Sequence, residues 1–114
     1  MKKSNQYIRY LELAREIKND PKLPILTPLE ERILNVIAIY NFRDERISVR
    51  DLMMKSELGS SAMLYLKLKS MIEKGWIVLA DTEDKRRKQL KPTKAAEQYF
   101  GKLSKSIQKI ATRH

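Results

Sequence analysis

The sequence contains no cysteine, one histidine (His114) and only three glycines in 114 residues. The absence of cysteine excludes disulfides, thiolate catalysis and cysteine-ligated zinc. A single histidine provides neither a catalytic triad nor a histidine metal cluster. No nucleophile–base pair or phosphate-binding loop can be assembled either. The sequence therefore predicts a protein that is not an enzyme and that uses no metal or cofactor.

Long apolar runs are also missing, and none approaches the roughly 18 residues that a membrane-spanning helix requires. The first residues, MKKSNQYIRY, are charged but lack the apolar segment that follows in a signal peptide. Hydrophobic residues still make up 42% of the chain, which is enough for a core. We therefore expect a small, soluble, cytoplasmic domain without a membrane partner.

Basic residues exceed acidic ones by 24 to 14, which gives a net charge of +10. Residues 1–81 carry 14 basic and 11 acidic side chains, whereas residues 82–114 carry 10 basic and 3 acidic ones. The excess begins with the run Lys85-Arg86-Arg87-Lys88. A local basic segment on an otherwise balanced domain favours a polyanionic partner such as DNA. The alternative is a charge that serves solubility alone.

Hydrophobic periodicity and turn residues predict seven elements. Thr27, Pro28 and Glu30 form a strong helix start with a capping box, Ser48 and Thr93 are further caps, and Gly75 ends a helix. Ile47 is a candidate for a very short strand. The predicted helices and strands cover residues 5–19, 28–42, 49–56, Ser60 or Ser61 to Lys74, 76–80, 89–91 and 94–111.

This order predicts a mainly α fold with a small β-hairpin, which is a winged helix-turn-helix with an extra helix at each end. The third and fourth helices are joined by about three residues that contain Gly59, as in a helix-turn-helix. Residues 26–92 would form the winged helix-turn-helix domain. Residues 1–25 and 93–114 would form N-terminal and C-terminal dimerisation helices.

Residues 26–100 resemble the MarR family of winged-helix regulators. Leu26-Thr27 matches the start of the helix before the DNA-binding motif, and residues 71–77 (MIEKGWI) match the end of the recognition helix and the first wing strand. Residues 81–86 (DTEDKR) fit the wing signature D-x-x-D-x-R, and residues 90–93 (LKPT) lie where the family has "LT" before its last helices. The resemblance implies a bacterial-type, nucleoid-associated regulator that binds double-stranded DNA.

The fourth helix would enter the major groove as the recognition helix. On a helical wheel its core side holds Leu64, Leu68, Met71 and Ile72. The candidate DNA contacts on the remaining surface are Ser60, Ser61, Met63, Tyr65, Leu66, Lys67, Lys69 and Ser70. The serines suit a phosphate at the helix start, the lysines suit phosphate or bases, and the apolar residues suit thymine methyl groups. Apart from the lysines, each assignment has an alternative. The serines would only cap the helix, Tyr65 would be half-buried in the core, and Met63 and Leu66 would pack against another helix.

The resemblance implies that Arg86 at the wing tip enters the minor groove, with Asp81 or Asp84 holding its guanidinium group. Lys85, Arg87 and Lys88 would then contact phosphates, and Arg50 is a further phosphate candidate. A charged turn that is merely solvated is the alternative.

Apolar residues on the first and last helices exceed what one small domain needs, which favours a homodimer with two recognition helices one DNA turn apart. Packing of these helices on each other within one chain is the other interpretation. The sequence thus predicts a dimeric DNA-binding transcriptional regulator, with repression as its mode of action. A winged-helix protein-interaction module and a non-specific nucleic-acid-binding protein remain the alternatives, and nothing identifies a small-molecule effector.

Overall fold

A computed structural model describes residues 5–83 and 87–112 of the chain. Its elements are α1 (Gln6–Lys18), α2 (Pro28–Phe42), α3 (Val49–Met53), α4 (Ser61–Lys74), β1 (Ile77–Asp81), β2 (Lys88–Pro92) and α5 (Lys94–Thr112). The two strands form one antiparallel hairpin. The predicted mainly α fold with a small hairpin is confirmed. None of the helices in the described part of the chain is long and apolar enough to cross a membrane.

The chain divides into two compact units. The larger one, Leu26–Ala96, contains α2, α3, α4, the hairpin and the first turn of α5, and we call it the winged-helix unit. The smaller one contains α1 and the rest of α5, and we call it the terminal unit.

Local side-chain caps explain where the helices of the winged-helix unit begin. Thr27 Oγ1 accepts the Glu30 N–H at 3.3 Å, and Glu30 Oε1 accepts the Thr27 N–H at 2.9 Å, so the predicted capping box is present. Ser48 and Asp51 form a second capping box at α3. The Ser48 backbone N–H, which donates to the Asp51 carboxylate, lowers the pKa of Asp51. These bonds satisfy backbone N–H groups that have no partner within the helix.

α3 ends at Met53, so the prediction that it extends to residue 56 is wrong. Beyond it the chain makes tighter turns, in which the Lys55 N–H donates to Leu52 and the Leu58 N–H donates to Lys55, at 3.1 and 2.9 Å. This path buries the Leu58 side chain. Burying Leu58 in the core offsets the loss of one helical turn at the end of a five-residue helix.

The wing hairpin is held in register by pairs such as Leu79 with Leu90. Ile47 forms no strand, contrary to the prediction, but its carbonyl accepts the Leu90 N–H at 2.8 Å and thereby ties the loop before α3 to β2. At the start of the hairpin, Gly75 adopts φ = 87°, a left-handed conformation that glycine adopts at little cost. The Trp76 N–H donates back to Met71 at 2.9 Å, which closes α4 with the predicted glycine cap.

The core of the winged-helix unit joins α2, α3, α4 and the hairpin. Its buried apolar residues are Ile33, Leu34, Ile37, Ile47, Leu52, Leu58, Leu64, Leu68, Met71, Trp76, Ile77, Leu90 and Ala96. The expectation that Ile72 is part of this core is wrong, because its side chain is 39% exposed. Ile72 follows Met71 directly, and the rotation of about 100° per residue carries it toward the edge of the buried side.

In the terminal unit, α1 and α5 run in opposite directions. Near the start of α1, Tyr7 and Tyr10 line one apolar hollow together with Ile107 and Ile110 of α5. After the end of α1, Asp20 Oδ2 lies 3.9 Å from Lys102 Nζ. Ala14, Tyr99 and Ile110 are buried. The two helices therefore meet within one chain around this hollow.

One buried carboxylate links the start of α2 to the end of α4. Glu30 is 1% exposed, and its two oxygens accept hydrogen bonds from Lys74 Nζ at 3.0 and 3.1 Å. Burial raises the pKa of Glu30, but the Thr27 N–H and Lys74 together lower it more, so that the pKa lies below its usual value of 4.5. The sequence predicts the role of Glu30 in the capping box of α2, but it does not predict that this carboxylate is buried and paired with Lys74.

We expect Lys74→Met to lower the free energy of unfolding by about 1–3 kcal/mol. This is below the usual cost of breaking a buried ion pair because Lys74 is partly exposed.

A carboxylate with a lowered pKa stabilises the fold fully above its unfolded-state pKa, and this stabilisation is lost as the pH falls through the folded-state pKa. The stability difference between wild type and Glu30→Gln should therefore be constant near pH 7 and shrink below about pH 4.5.

Urea unfolding at a series of pH values measures this difference. Glu45→Gln, which changes an exposed carboxylate of the same unit, is the control and should cost less than about 0.5 kcal/mol. A Glu30→Gln variant as stable as wild type at pH 7 would contradict the role assigned to the ion pair.

Candidate nucleic-acid interface

Most of the predicted site residues on α4 lie on its outer face, which is exposed to solvent. Leu64, Leu68 and Met71 bury one side of the helix, and the side chains on the other side face solvent. Met63 is 47% exposed, Tyr65 is 52% exposed and Leu66 is 62% exposed. Tyr65 is thus a surface residue and not a core tyrosine. Ser60, Ser61 and Lys69 are also exposed, and Lys67 and Ser70 are half-buried.

The start of α4 is organised by Ser60, whose Oγ accepts the Met63 N–H at 3.2 Å. Ser61 is the first helical residue, so Ser60 is the cap of the two candidates. The first N–H groups of a helix point outward from its N-terminal end and carry a partial positive charge. This end of α4 therefore offers favourable geometry for an anion beside exposed Ser61.

Two contacts hold the α3–α4 turn against α2. Lys55 Nζ donates to Tyr40 Oη at 2.9 Å and lies 5.0 Å from the centre of the Tyr40 ring. This hydrogen bond, opposed by desolvation, raises the pKa of Lys55. Arg32 Nη2 donates to the Glu57 carbonyl at 3.1 Å. Together these contacts tie the α3–α4 turn to α2, and none of these four residues is a predicted site residue.

The described part of the wing is stabilised by contacts across its base. Lys88 Nζ forms an ion pair with Asp81, its partner in the strand register. Thr82 donates to the Arg87 carbonyl through its N–H at 3.4 Å and its Oγ1 at 3.0 Å. Arg87 is exposed. Asp84, Lys85 and Arg86, on which the predicted minor-groove contact depends, lie outside the described residues.

The base of the wing faces the loop after α2 across an open groove. Asp44 and Arg46 of that loop line the groove with Asp81, Glu83 and Arg87 of the wing. Asp44 adopts φ = 56°, a left-handed conformation that Asp tolerates better than most residues. Because the groove mixes both signs of charge, it has no strong preference for an anion. Among residues 5–83 and 87–112, no cluster of three or more His, Asp or Glu side chains could hold a metal ion.

Comparison with solved structures identifies the fold. S. aureus MepR, solved with ethidium bromide bound, superposes with a TM-score of 0.68 at 14% identity, over 92% of this chain and 71% of that chain. The transcriptional regulator Tm0710 from Thermotoga maritima superposes with a TM-score of 0.60 at 11% identity, over 93% of this chain and 67% of that chain. Bordetella bronchiseptica BpsR, whose DNA binding is regulated by 6-hydroxynicotinic acid, superposes with a TM-score of 0.51 at 16% identity. The match covers 93% of this chain and 71% of that chain.

The chain has the MarR winged-helix fold. The neighbours are MarR-family transcriptional regulators and not enzymes, so the resemblance seen in the wing motif is confirmed at the level of the fold. No protein-family profile matches the sequence, and no curated protein matches it either. In this fold α3 and α4 form the helix-turn-helix, and the β1–β2 hairpin that follows them is the wing.

The hydrogen bond between Lys55 and Tyr40 should stabilise the winged-helix unit. Tyr40→Phe removes the acceptor but keeps the ring, so we expect a loss of about 0.5–1.5 kcal/mol in the free energy of unfolding. Tyr65→Phe makes the same change on the exposed face and should leave stability unchanged within about 0.5 kcal/mol. Chemical denaturation of both variants tests this, and equal stabilities would show that the bond contributes nothing.

Proposed function

We propose that this chain is a sequence-specific, double-stranded-DNA-binding transcriptional regulator that acts as a dimeric repressor. The observation that supports this most directly is the combination of an exposed outer face on α4 with a basic wing in the MarR fold. α4 would lie in the major groove and the wing tip in the minor groove. The neighbours Tm0710 and BpsR, a transcriptional regulator and a DNA-binding protein, are consistent with it.

Charge favours DNA over other partners of this surface. Lys67 and Lys69 flank the outer face of α4, and Arg87 is exposed at the wing, beside the segment Lys85-Arg86. Cations spaced along a helix and a hairpin match the two phosphate backbones that border a groove. Lys88 is ion-paired with Asp81, and this carboxylate competes with phosphate for the lysine.

The terminal unit supports dimerisation. Although α1 and α5 pack on each other, Tyr7, Ile8, Leu11 and Ile107 stay exposed. These four large apolar side chains belong to two helices of one unit, and a second copy could cover them together. A second copy covering them would place two recognition helices on one palindromic site. Occupation of a promoter by such a dimer would repress transcription.

Selection from a random-sequence duplex pool at about 150 mM salt tests the proposed function. We expect enrichment of an inverted repeat with half-sites about 10 bp apart. DNA that is retained without enrichment would indicate a non-specific nucleic-acid-binding protein. No retention would favour the protein-interaction module, for which the exposed Met63 and Leu66 are the supporting observation.

On the selected duplex, Lys67→Ala combined with Lys69→Ala should weaken binding by more than tenfold and lower the salt dependence of affinity, because phosphate contacts release counterions. The control, Lys22→Ala with Lys105→Ala, removes the same charge from exposed residues of the terminal unit. Equal affinities of the two double variants would show that net charge alone drives binding.

Arg86→Ala should weaken binding by at least tenfold without lowering the thermal unfolding temperature, because the wing signature implies a minor-groove contact for this side chain. Fluorescence anisotropy against the selected duplex measures the affinity. An unaltered affinity would contradict the assignment of the wing.

Ile107→Lys should convert the dimer to a monomer, because it buries an unpaired charge in the proposed interface. Ile39→Lys is the matched control, since Ile39 of the winged-helix unit is 50% exposed and Ile107 is 54% exposed. Light scattering after size exclusion gives the mass. A wild-type monomer, or two variants that dissociate equally, would contradict this interface.

A further inference from the structure

The centre of the recognition face is apolar. Leu66 lies nearly opposite the buried side of α4, and its neighbours one turn back are Ala62 and Met63. With about 3.6 residues per turn, Ala62, Leu66 and Met63 form one strip, and Lys69 and Lys67 lie on its two sides, about 160° apart around the helix. All three residues of the strip are exposed.

The side chains that most often make paired hydrogen bonds to bases, those of Arg, Asn and Gln, are absent from this helix. α4 has the sequence SAMLYLKLKSMIEK, and its exposed polar side includes Lys69 and, two turns after Leu66, Glu73. The paired hydrogen bonds that identify guanine through Arg, or adenine through Asn and Gln, are therefore unavailable to α4. Tyr65, Ser70 and the lysines can donate single hydrogen bonds, which discriminate less well.

The C5-methyl group of thymine is the one apolar feature of a base pair in the major groove, and contact with an apolar side chain recognises it. A strip bordered by lysines on both sides suits this environment, since each lysine faces the phosphates of one strand while the apolar centre meets the bases. A protein groove would cover the strip equally well, but the flanking cations favour a polyanion.

We propose that α4 recognises its half-site by contact of Leu66 and Met63 with thymine methyl groups, so that the operator carries thymines under this strip. This inference rests on the proposed DNA-binding function. The strip from Ala62 to Leu66 is about 6 Å long, which corresponds to about two base-pair steps of about 3.4 Å. Two or three adjacent base pairs in each half-site would therefore depend on the methyl group.

Replacement of thymine by deoxyuridine in the selected duplex tests the inference, since it removes only the methyl group. We expect affinity to fall about fourfold for each contacted thymine, the equivalent of one buried methyl-sized group. The fall should be confined to positions under the strip. Exchange of cytosine for 5-methylcytosine at such a position should restore part of the affinity lost on replacing thymine by cytosine.

A double-mutant cycle assigns the effect to the side chain. In Leu66→Ala the loss caused by deoxyuridine should disappear at one position, and in Met63→Ala at another. Lys69→Ala is the control and should weaken thymine and deoxyuridine duplexes by the same factor. Both apolar side chains are exposed, so both variants should unfold at the wild-type temperature.

The outcomes separate the two proposals. A selected operator that binds equally well with deoxyuridine throughout would overturn methyl recognition but leave the regulator function intact. Failure to select any operator would overturn both. A deoxyuridine effect that persists undiminished in Leu66→Ala and Met63→Ala would show that other residues read the methyl groups.

Discussion

The buried bond between Glu30 and Lys74 is the interaction on which the geometry of the winged-helix unit depends. Glu30 caps α2 through the Thr27 N–H and accepts two hydrogen bonds from Lys74 at the last residue of α4. The same carboxylate therefore takes part in the cap that begins α2 and binds the last residue of α4. Gly75 then turns the chain directly into the wing. Because a buried charge without a partner is costly, the bond fixes this end of α4 relative to α2.

This arrangement leaves α4 with two different sides. Leu64, Leu68 and Met71 anchor it to the core, while the ion pair and the turn contacts of Lys55 and Arg32 hold its two ends. None of these contacts uses the outer face. Leu66 and Met63 are therefore available to a partner without any rearrangement of the core, which suits a rigid element placed in a DNA groove.

Much of the fold follows from local sequence. Helices α2, α3, α4 and α5 begin at a side chain that accepts a hydrogen bond from an N–H three residues later; these caps are Thr27, Ser48, Ser60 and Thr93. Gly75 ends α4, so residues close in the chain determine where these helices begin or end. What the sequence could not predict depends on residues far apart in the chain. Glu30 and Lys74 are 44 positions apart, and no local pattern distinguishes their ion pair from two solvated charges. Likewise, α3 ends early because Leu58 packs into the core, and Ile47 meets β2 through a single hydrogen bond instead of a strand. The outer face of α4 was largely predictable from its wheel, apart from Ile72 at the edge.

Amide chemical-shift mapping of the labelled protein with a selected duplex, at about 150 mM salt, tests the central claim most directly. The claim is that the outer face of α4 and the wing form one DNA interface. It predicts saturable shifts or broadening at residues 60–70 and 82–88, with little change in the amides of the α2 core. Saturable binding that leaves both segments unperturbed, or that changes only α1 and α5, would contradict it.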